Sequence, residues 1–330
     1  MDCKKVYIII LNYNSFIDTI ECLESVFKLE YANFQVIVVD NNSNDNSVAQ
    51  IIDWANGKSF FEVATNYRAL VYPLENKPFQ FSVFREGNSE ITEDKLVILK
   101  AQNNNGFSAG NNIGIQYIQN REDFKYCWIL NNDTVVDKKS LKELVENYRR
   151  HENLGILGSK LLYYYNPDII QAIGGKLHKK LYATSHIGEG KLCTINKSNF
   201  EKIDFAIGAS MFVSKEFLNT VGLLSEDYFL YYEEIDWAFR AKEFGFITDW
   251  CEDSIVYHKE GKTTGSSSDY RKRSVFSEIQ IFKSRKIFFQ KYPKYKFSFW
   301  VSSYLIILNR VRRKQLSLAK EFIKILHKRK

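Results

Sequence analysis

Proline is scarce in this chain, with four residues in 330, and cysteine is hardly commoner, with five. So few prolines argue against long disordered linkers. The cysteines (Cys3, Cys22, Cys127, Cys193 and Cys251) are scattered, odd in number and form no C-x-x-C pair. That pattern excludes a zinc knot or disulfide framework and fits a reducing, cytosolic compartment. No signal peptide opens the chain: Lys4 and Lys5 precede a short apolar run that ends at Asn12, and no small-residue cleavage site follows. The apolar stretch Phe297–Leu308 stops at about a dozen residues, short of the roughly 20 that span a bilayer. Phosphate-loop signatures are missing too. No G-x-G-x-x-G follows the first apolar run, and there is no G-x-x-x-x-G-K-[ST].

What is present is ordinary for a globular protein: 45% apolar and 26% charged residues, with aromatics high at 15%. The net charge of +7 conceals an asymmetry. Residues 259–330 hold 20 Lys and Arg against 4 Asp and Glu, so a mildly acidic body carries a strongly basic tail. Such a tail suggests an anionic partner or a solvated helical face.

Val6–Asn12 and Phe34–Val39 are short apolar, β-branched runs that predict buried parallel strands. Helical spacing follows each, over Ser15–Lys28 with Ser15 a candidate N-cap and from Asn46 to Trp54. The alternation predicts an α/β fold with a mostly parallel sheet. Residues 60–95 break the rhythm, and their alternating pattern predicts a β-hairpin or small antiparallel insertion. Leu96–Ala101 and Tyr126–Leu130 resume the strands, with helices at Gly110–Gln119 and Lys138–Arg150. Ile203–Val213, Ile235–Phe244 (helical) and Ile247–Tyr257 complete a core that runs to about residue 260. Arg271–Tyr292 and Lys296–Lys330 look helical.

Ligands of open α/β sheets sit beyond the carboxyl ends of the strands. Four successive strand ends deliver short polar side chains there: Asn12-Tyr13-Asn14, Asp40-Asn41-Asn42, Asn103-Asn104-Asn105-Gly106 and Asn131-Asn132-Asp133. One such cluster is a turn; four make a polar crevice able to hold a base, a ribose and a metal. Asp133 is placed to bind a hard divalent cation through oxygen, together with phosphates and water. The glycines at 106, 110 and 114 open a helix and are equally explained by packing. In Tyr228–Trp237, three acids (Glu233, Glu234 and Asp236) follow a run of aromatics at a helix start. The helix dipole favours acids there; a desolvated carboxylate beside aromatic faces is also a base suited to sugars. His258 ends a strand on the same face, as metal ligand, phosphate contact or structural residue, before a Thr/Gly/Ser run (263–268) that looks like a mobile loop.

These stretches resemble the inverting family-two glycosyltransferases of the GT-A fold, rhamnosyltransferase-like branch. The resemblance is carried by IIILNYN (8–14), VIVVDNNSND (36–45), NNNGFSAGNNIGI (103–115), WILNNDTVVD (128–137), the segment 208–246 and VYHKEG (256–261). It implies a GT-A domain over residues 1–261, with the insertion at 60–95, and a basic helical extension over 262–330. It implies that Asn12, Asp40, Asn42, Asn104, Gly106, Asn111, Asn132 and Asp133 contact a nucleoside-diphosphate sugar. It further implies that Asp133 and His258, with Asn131, hold Mg2+ or Mn2+, and that Glu234 is the base, with Glu233 and Asp236 as alternates. Two departures stand out: Asn131 occupies the place of the first acid of D-x-D, and Glu234 the place of an Asp. Asn131 leaves open a catalytically weak or silent nucleotide-sugar-binding protein as the alternative. A nucleotidyltransferase would want a Gly-rich basic loop after the first strand, which Asn12–Ser15 lacks.

The branch points to dTDP-rhamnose as donor, and to a role in cell-surface polysaccharide or glycolipid assembly. Phe297–Leu308 between basic clusters, and Leu318, Phe322 and Ile325 among lysines, predict an interfacial helix pair on an anionic leaflet. That would make the protein peripheral at the inner face of the cell membrane, with a saccharide or lipid-linked acceptor. A core-packing hairpin or a homodimer contact is the alternative for these helices. No nucleic-acid motif is present.

Overall fold

A computed structural model describes residues 4–58, 62–261 and 273–328. The first half alternates as expected. Strand β1 (Lys5–Asn12) leads through α1 (Phe16–Val26) to β2 (Phe34–Asp40) and α2 (Ser47–Ala55). A short helix α3 (Arg68–Val71) and β3 (Phe81–Arg85) precede β4 (Leu96–Lys100), α4 (Phe107–Gln119) and β5 (Phe124–Asn131). Then come β6 (Thr134–Val136), α5 (Ser140–Arg149), β7 (Leu154–Tyr163), β8 (Asn166–Ala172) and a separate hairpin of β9 (Gly174–His178) and β10 (Ala183–Ile187). Strand β11 (Ser210–Ser214), helices α6 (Lys215–Val221) and α7 (Glu233–Glu243), and β12 (Ile247–His258) finish the body. Helices α8 (Val275–Lys291), α9 (Lys296–Arg312) and α10 (Leu316–His327) follow.

Ten strands form one sheet in the order β3-β4-β2-β1-β5-β11-β7-β12-β6, with β8 on β7. The five strands from β3 to β5 are all parallel, and β11 enters antiparallel between β5 and β7. The period of two is visible in β1: Val6, Ile8 and Ile10 pack with α1, α2 and α5, while Tyr7 and Ile9 pack on the opposite face. That opposite face also receives α4, α7 and the three C-terminal helices, whose Phe282, Phe288, Phe299 and Phe322 are buried in the same apolar cluster. Phe289 stacks on Phe299 at 3.9 Å between centroids, so α8 and α9 are clamped together.

Several expectations change. Residues 60–95 form no antiparallel hairpin among the described residues; β3 adds parallel to β4, register Phe81↔Leu96, and extends the main sheet edge. The alternating pattern there reflects an edge strand with one half-buried face rather than a self-paired ribbon. The expected strand Ile203–Val213 begins only at Ser210, after a turn in which Ser210 N–H donates to Ile207 O. Ser15 does not cap α1 with its side chain, which donates to Asp18 instead. The tail forms the expected pair of helices, parted at Lys314, which sits in the left-handed region at φ 59°. The run 263–268 lies outside the described residues.

The three glycines at 106, 110 and 114 have two causes. A Cβ on Gly110 would meet Leu11 at 2.4 Å and one on Gly114 would meet Ile9 at 2.8 Å, so α4 lies tightly on β1. Gly106 has φ 96°, and a Cβ there would fall 2.1 Å from the Phe229 carbonyl oxygen. Gly106→Ala should therefore lose about 1–3 kcal/mol of stability. Gly208→Ala, where the nearest atom is at 3.7 Å, should stay within about 0.5 kcal/mol. Urea denaturation of both variants measures the difference.

Candidate active site

Parallel pairing sets the strand ends side by side: Asn12 is opposite Asp40, Leu11 opposite Asn131, and Asp40 opposite Lys100. Beyond them opens a cavity of about 690 Å³. The residues at its rim divide into those that face the space and those that brace it. Asn12 is fully buried; its amide donates to Asp40 at 2.7 Å and its carbonyl accepts from Thr19 at 2.8 Å. Asp40 also accepts from the backbone N–H and hydroxyl of Ser43. Thr19 in turn accepts from Asn132 at 2.9 Å. This chain of buried bonds ties β1, β2, α1 and the β5 loop into one frame. Asn41, next along, reaches Asn104 at 3.0 Å and the Gly106 carbonyl at 3.1 Å, and lines the cavity with both. Asn42 is exposed in the left-handed region at φ 58°, and Asn111 bonds the Phe107 carbonyl within α4. Neither they nor Asn12 and Asp40 line the cavity.

Tyr231 and Tyr232 precede α7 with φ of 69° and 73°, two successive non-glycine residues in the left-handed region. Such backbone is strained and is held by its surroundings. Here the C-terminal helices hold it: Ser284 donates to the Leu230 carbonyl, Tyr231 to Ser277, and Tyr232 to the Tyr182 carbonyl, which also accepts from buried Arg285. The reversal aims the start of α7 at the cavity, where Glu233 and Glu234 both line the wall. Burial pushes both carboxyls upward, Glu233 further through the charge of Glu234, and Glu234 to about 7. Glu233 is buried and Glu234 half-buried, so Glu234 is the more reachable. Asp236 has a different task. It is fully buried, paired with Arg240 at 2.8 Å and Lys291 at 3.2 Å, and accepts from Tyr228 and Tyr292. It pins α7 to α8 and is absent from the cavity wall.

On the facing side, β12 delivers His258 and the β5–β6 turn delivers Asp133, with Nε2 of the imidazole 3.2 Å from the carboxylate. Burial alone would lower the histidine, but the Asp133 carboxylate outweighs it and holds the imidazole above its ordinary range. Burial likewise raises Asp133, and His258 more than offsets it, leaving the carboxyl below its usual range. His258 Nδ1 lies 2.8 Å from the Gln171 side-chain oxygen, which orients the ring so that Nε2 is the nitrogen turned toward Asp133. Among the described residues no group of three or more His, Cys, Asp or Glu could hold a metal ion. A carboxylate beside an oriented imidazole nonetheless fits a divalent cation that takes its remaining ligands from phosphate and water. Asn131, whose side chain would add a neutral oxygen, lines the same cavity.

Buried polar atoms without partners are rare in folded proteins, and a cluster of them needs explanation. Asn41 Oδ1, Gln171 Nε2, His186 Nδ1, Glu233 Oε2 and Glu234 Oε2 are all in that condition, and all five residues line this one cavity. A polar ligand is what would satisfy them together. Gln171, His186 and Arg273 also line the cavity and carry no sequence signal, whereas Asn41 and Tyr13 belong to the strand-end clusters. Gln171 and His186 come from β8 and β10, elements with no clear sequence signature. Burial holds the His186 imidazole below its ordinary value, hence neutral at neutral pH. Asn41 stood within a motif already noted, and only its orientation distinguishes it from Asp40 and Asn42.

Residues 7–75 and 84–222 match the profile described as glycosyl transferase family 2. The chain is 26% identical over 204 residues to the low-salt glycan biosynthesis hexosyltransferase Agl10 of Haloferax volcanii, covering 58% of this chain and 64% of that protein. It thus spans less than two thirds of that relative's length. It is 23% identical over 263 residues to the dTDP-rhamnosyl transferase RfbF of Shigella flexneri, covering 78% of this chain and 70% of the relative. Among solved structures it is similar to GalNAc-T7 with UDP, GalNAc and Mn2+, with a TM-score of 0.54 at 14% identity, over 84% of this chain and 48% of that one. A likeness at such identity speaks to the fold, and it agrees with a largely parallel sheet whose strand ends open onto one cavity. With the family profile matching well over half its length, the chain belongs to glycosyl transferase family 2 and carries the GT-A fold.

Proposed function

We propose that the protein transfers a sugar from a nucleoside-diphosphate donor to an acceptor hydroxyl with inversion, using Glu234 as base. The observation that carries this is the pairing, across one cavity, of a half-buried carboxyl raised to about 7 with the Asp133–His258 pair. Asn41, Asn104, Gly106 and Asn132 line the part of the wall suited to the nucleotide, while Asn12, Asp40 and their partners hold that wall rigid. Asp133 and His258, with Asn131, would hold Mg2+ or Mn2+, which when bound offsets the charge gathering on the departing diphosphate. Glu234 takes the proton of the acceptor hydroxyl. The acceptor oxygen then bonds to the anomeric carbon as the carbon–diphosphate bond breaks, and the configuration inverts in a single displacement. The relationship to RfbF favours dTDP-rhamnose as donor, and that to Agl10 a role in glycan assembly. The acceptor is a saccharide or a lipid-linked saccharide, met at the inner face of the cell membrane, where the basic C-terminal helices would rest.

Glu234→Gln should lower kcat by about 100- to 10,000-fold while leaving donor affinity, measured by calorimetry, nearly unchanged. Transfer persisting in this variant would remove Glu234 from the mechanism. In the wild type, the base works only when ionised, so kcat/KM should fall by about tenfold per pH unit below pH 7 and level off above it. The stability sign runs the other way. A carboxyl raised on folding binds its proton more tightly in the native state, so stability declines as pH rises from about 4.5 toward 7. Above that window Glu234→Gln relieves the buried charge and should raise the melting temperature by about 2–4 °C.

Asp133→Asn should weaken donor binding by about tenfold or more in the presence of Mn2+. It should also abolish the difference between titrations with Mn2+ and with EDTA. A donor titration that never responds to Mn2+ or Mg2+, even in the wild type, would sink the metal reading.

A further inference from the structure

Helix α9 is apolar on two opposite faces. Inward, Phe299 and Ile307 are buried and Ile306 lines the catalytic cavity. Outward, Phe297, Val301, Leu305 and Leu308 are exposed at 82, 41, 59 and 62%. Trp300, Tyr304 and Val311 continue the same stripe, at 38, 48 and 44% exposure. Helical spacing sets these seven along one side, opposite the buried one. A lone exposed leucine is unremarkable, but a contiguous stripe marks a contact surface. Its surroundings say what kind. Residues 273–328 carry 14 Lys and Arg against 2 Asp and Glu. Arg285, Lys291 and Arg310 are engaged inward, whereas Lys294 and Lys296 before the stripe, and Arg312 and Lys314 after it, are exposed. No described helix is long and apolar enough to cross a membrane.

We propose that α9 lies in the interface of an anionic bilayer, with Val301, Leu305 and Leu308 among the upper acyl chains and the four flanking cations on the headgroups. This deepens the membrane-surface reading above and rests on it. A stripe of aromatic and aliphatic side chains between cationic ends suits that boundary. A second copy of the chain suits it less: stripe against stripe, in either direction, would bring the cationic ends of both copies together. Docked this way, the cavity wall formed by Ile306 stands one helix diameter, about 10 Å, from the headgroups. A hydroxyl carried by a lipid-linked acceptor would be presented beside the cavity rather than delivered through bulk water.

Flotation of the full chain with phosphatidylglycerol–phosphatidylcholine vesicles, and with phosphatidylcholine vesicles alone, tests this. The wild type should float with the anionic vesicles, and about tenfold less with neutral ones or in high salt. Leu305→Glu/Leu308→Glu should lose that binding with an unchanged melting temperature and unchanged hydrolysis of nucleotide sugar, and Arg312→Glu/Lys314→Glu should weaken it. If the leucine variant floats like the wild type, the α9 face is wrong while the membrane reading stands. If the wild type fails to float, both fall, and sugar-donor hydrolysis still reports on the catalytic reading. A dimer in gel filtration that the leucine variant dissolves, without vesicle binding, would make a second copy the occupant and overturn the proposal.

Discussion

The register of parallel strands is the constraint from which the site follows. Because β1, β2 and β5 are apolar on both faces, they can only be central strands, and burial on both sides leaves no slack for a slip. Their carboxyl ends therefore stop together, and the polar residues that terminate each run meet. The buried chain Asp40–Asn12–Thr19–Asn132 converts that coincidence into a frame, since each bond joins two different elements, with Thr19 of α1 linking the strand ends. Asn41, Asn104 and Asp133 are free to face the cavity because their neighbours in sequence do the bracing.

The second half of the site depends on the C-terminal helices. Helix α7 starts from a backbone reversal through two left-handed tyrosines, and the groups that hold it come largely from α8 and the residue just after it: Ser277, Ser284, Arg285 and Lys291, then Tyr292. The basic tail is thus part of the cavity's architecture as well as a surface. Residues of α8 and α9 line the same cavity as Glu233 and Glu234, whose carboxyls are raised by burial. An enclosed, ionisable carboxyl weakens the fold at neutral pH, a common exchange of stability for reactivity.

Much of this was legible in the chain itself. Apolar β-branched runs followed by Asn-rich turns located four strands and the edge where they open, and the family motifs located Asp133, His258 and the acids before Trp237. Less legible were elements with weak periodicity. β3 alternates like a hairpin strand, yet pairs parallel because the nearest open edge is that of β4. β8 and β10 carry Gln171 and His186 to the cavity with no motif around them.

The sequence by itself determined the fold class, the polar edge and the residues able to do chemistry, because side-chain period and strand termination are local properties. Only the tertiary structure decided which of those residues face the cavity. Asn12 and Asp40 turned into braces, Asn41 into lining, and Asp236 into an ion-paired pin. Which way a short polar side chain points at a strand end depends on whether a partner from another element reaches it first, and that is a long-range fact no local pattern records.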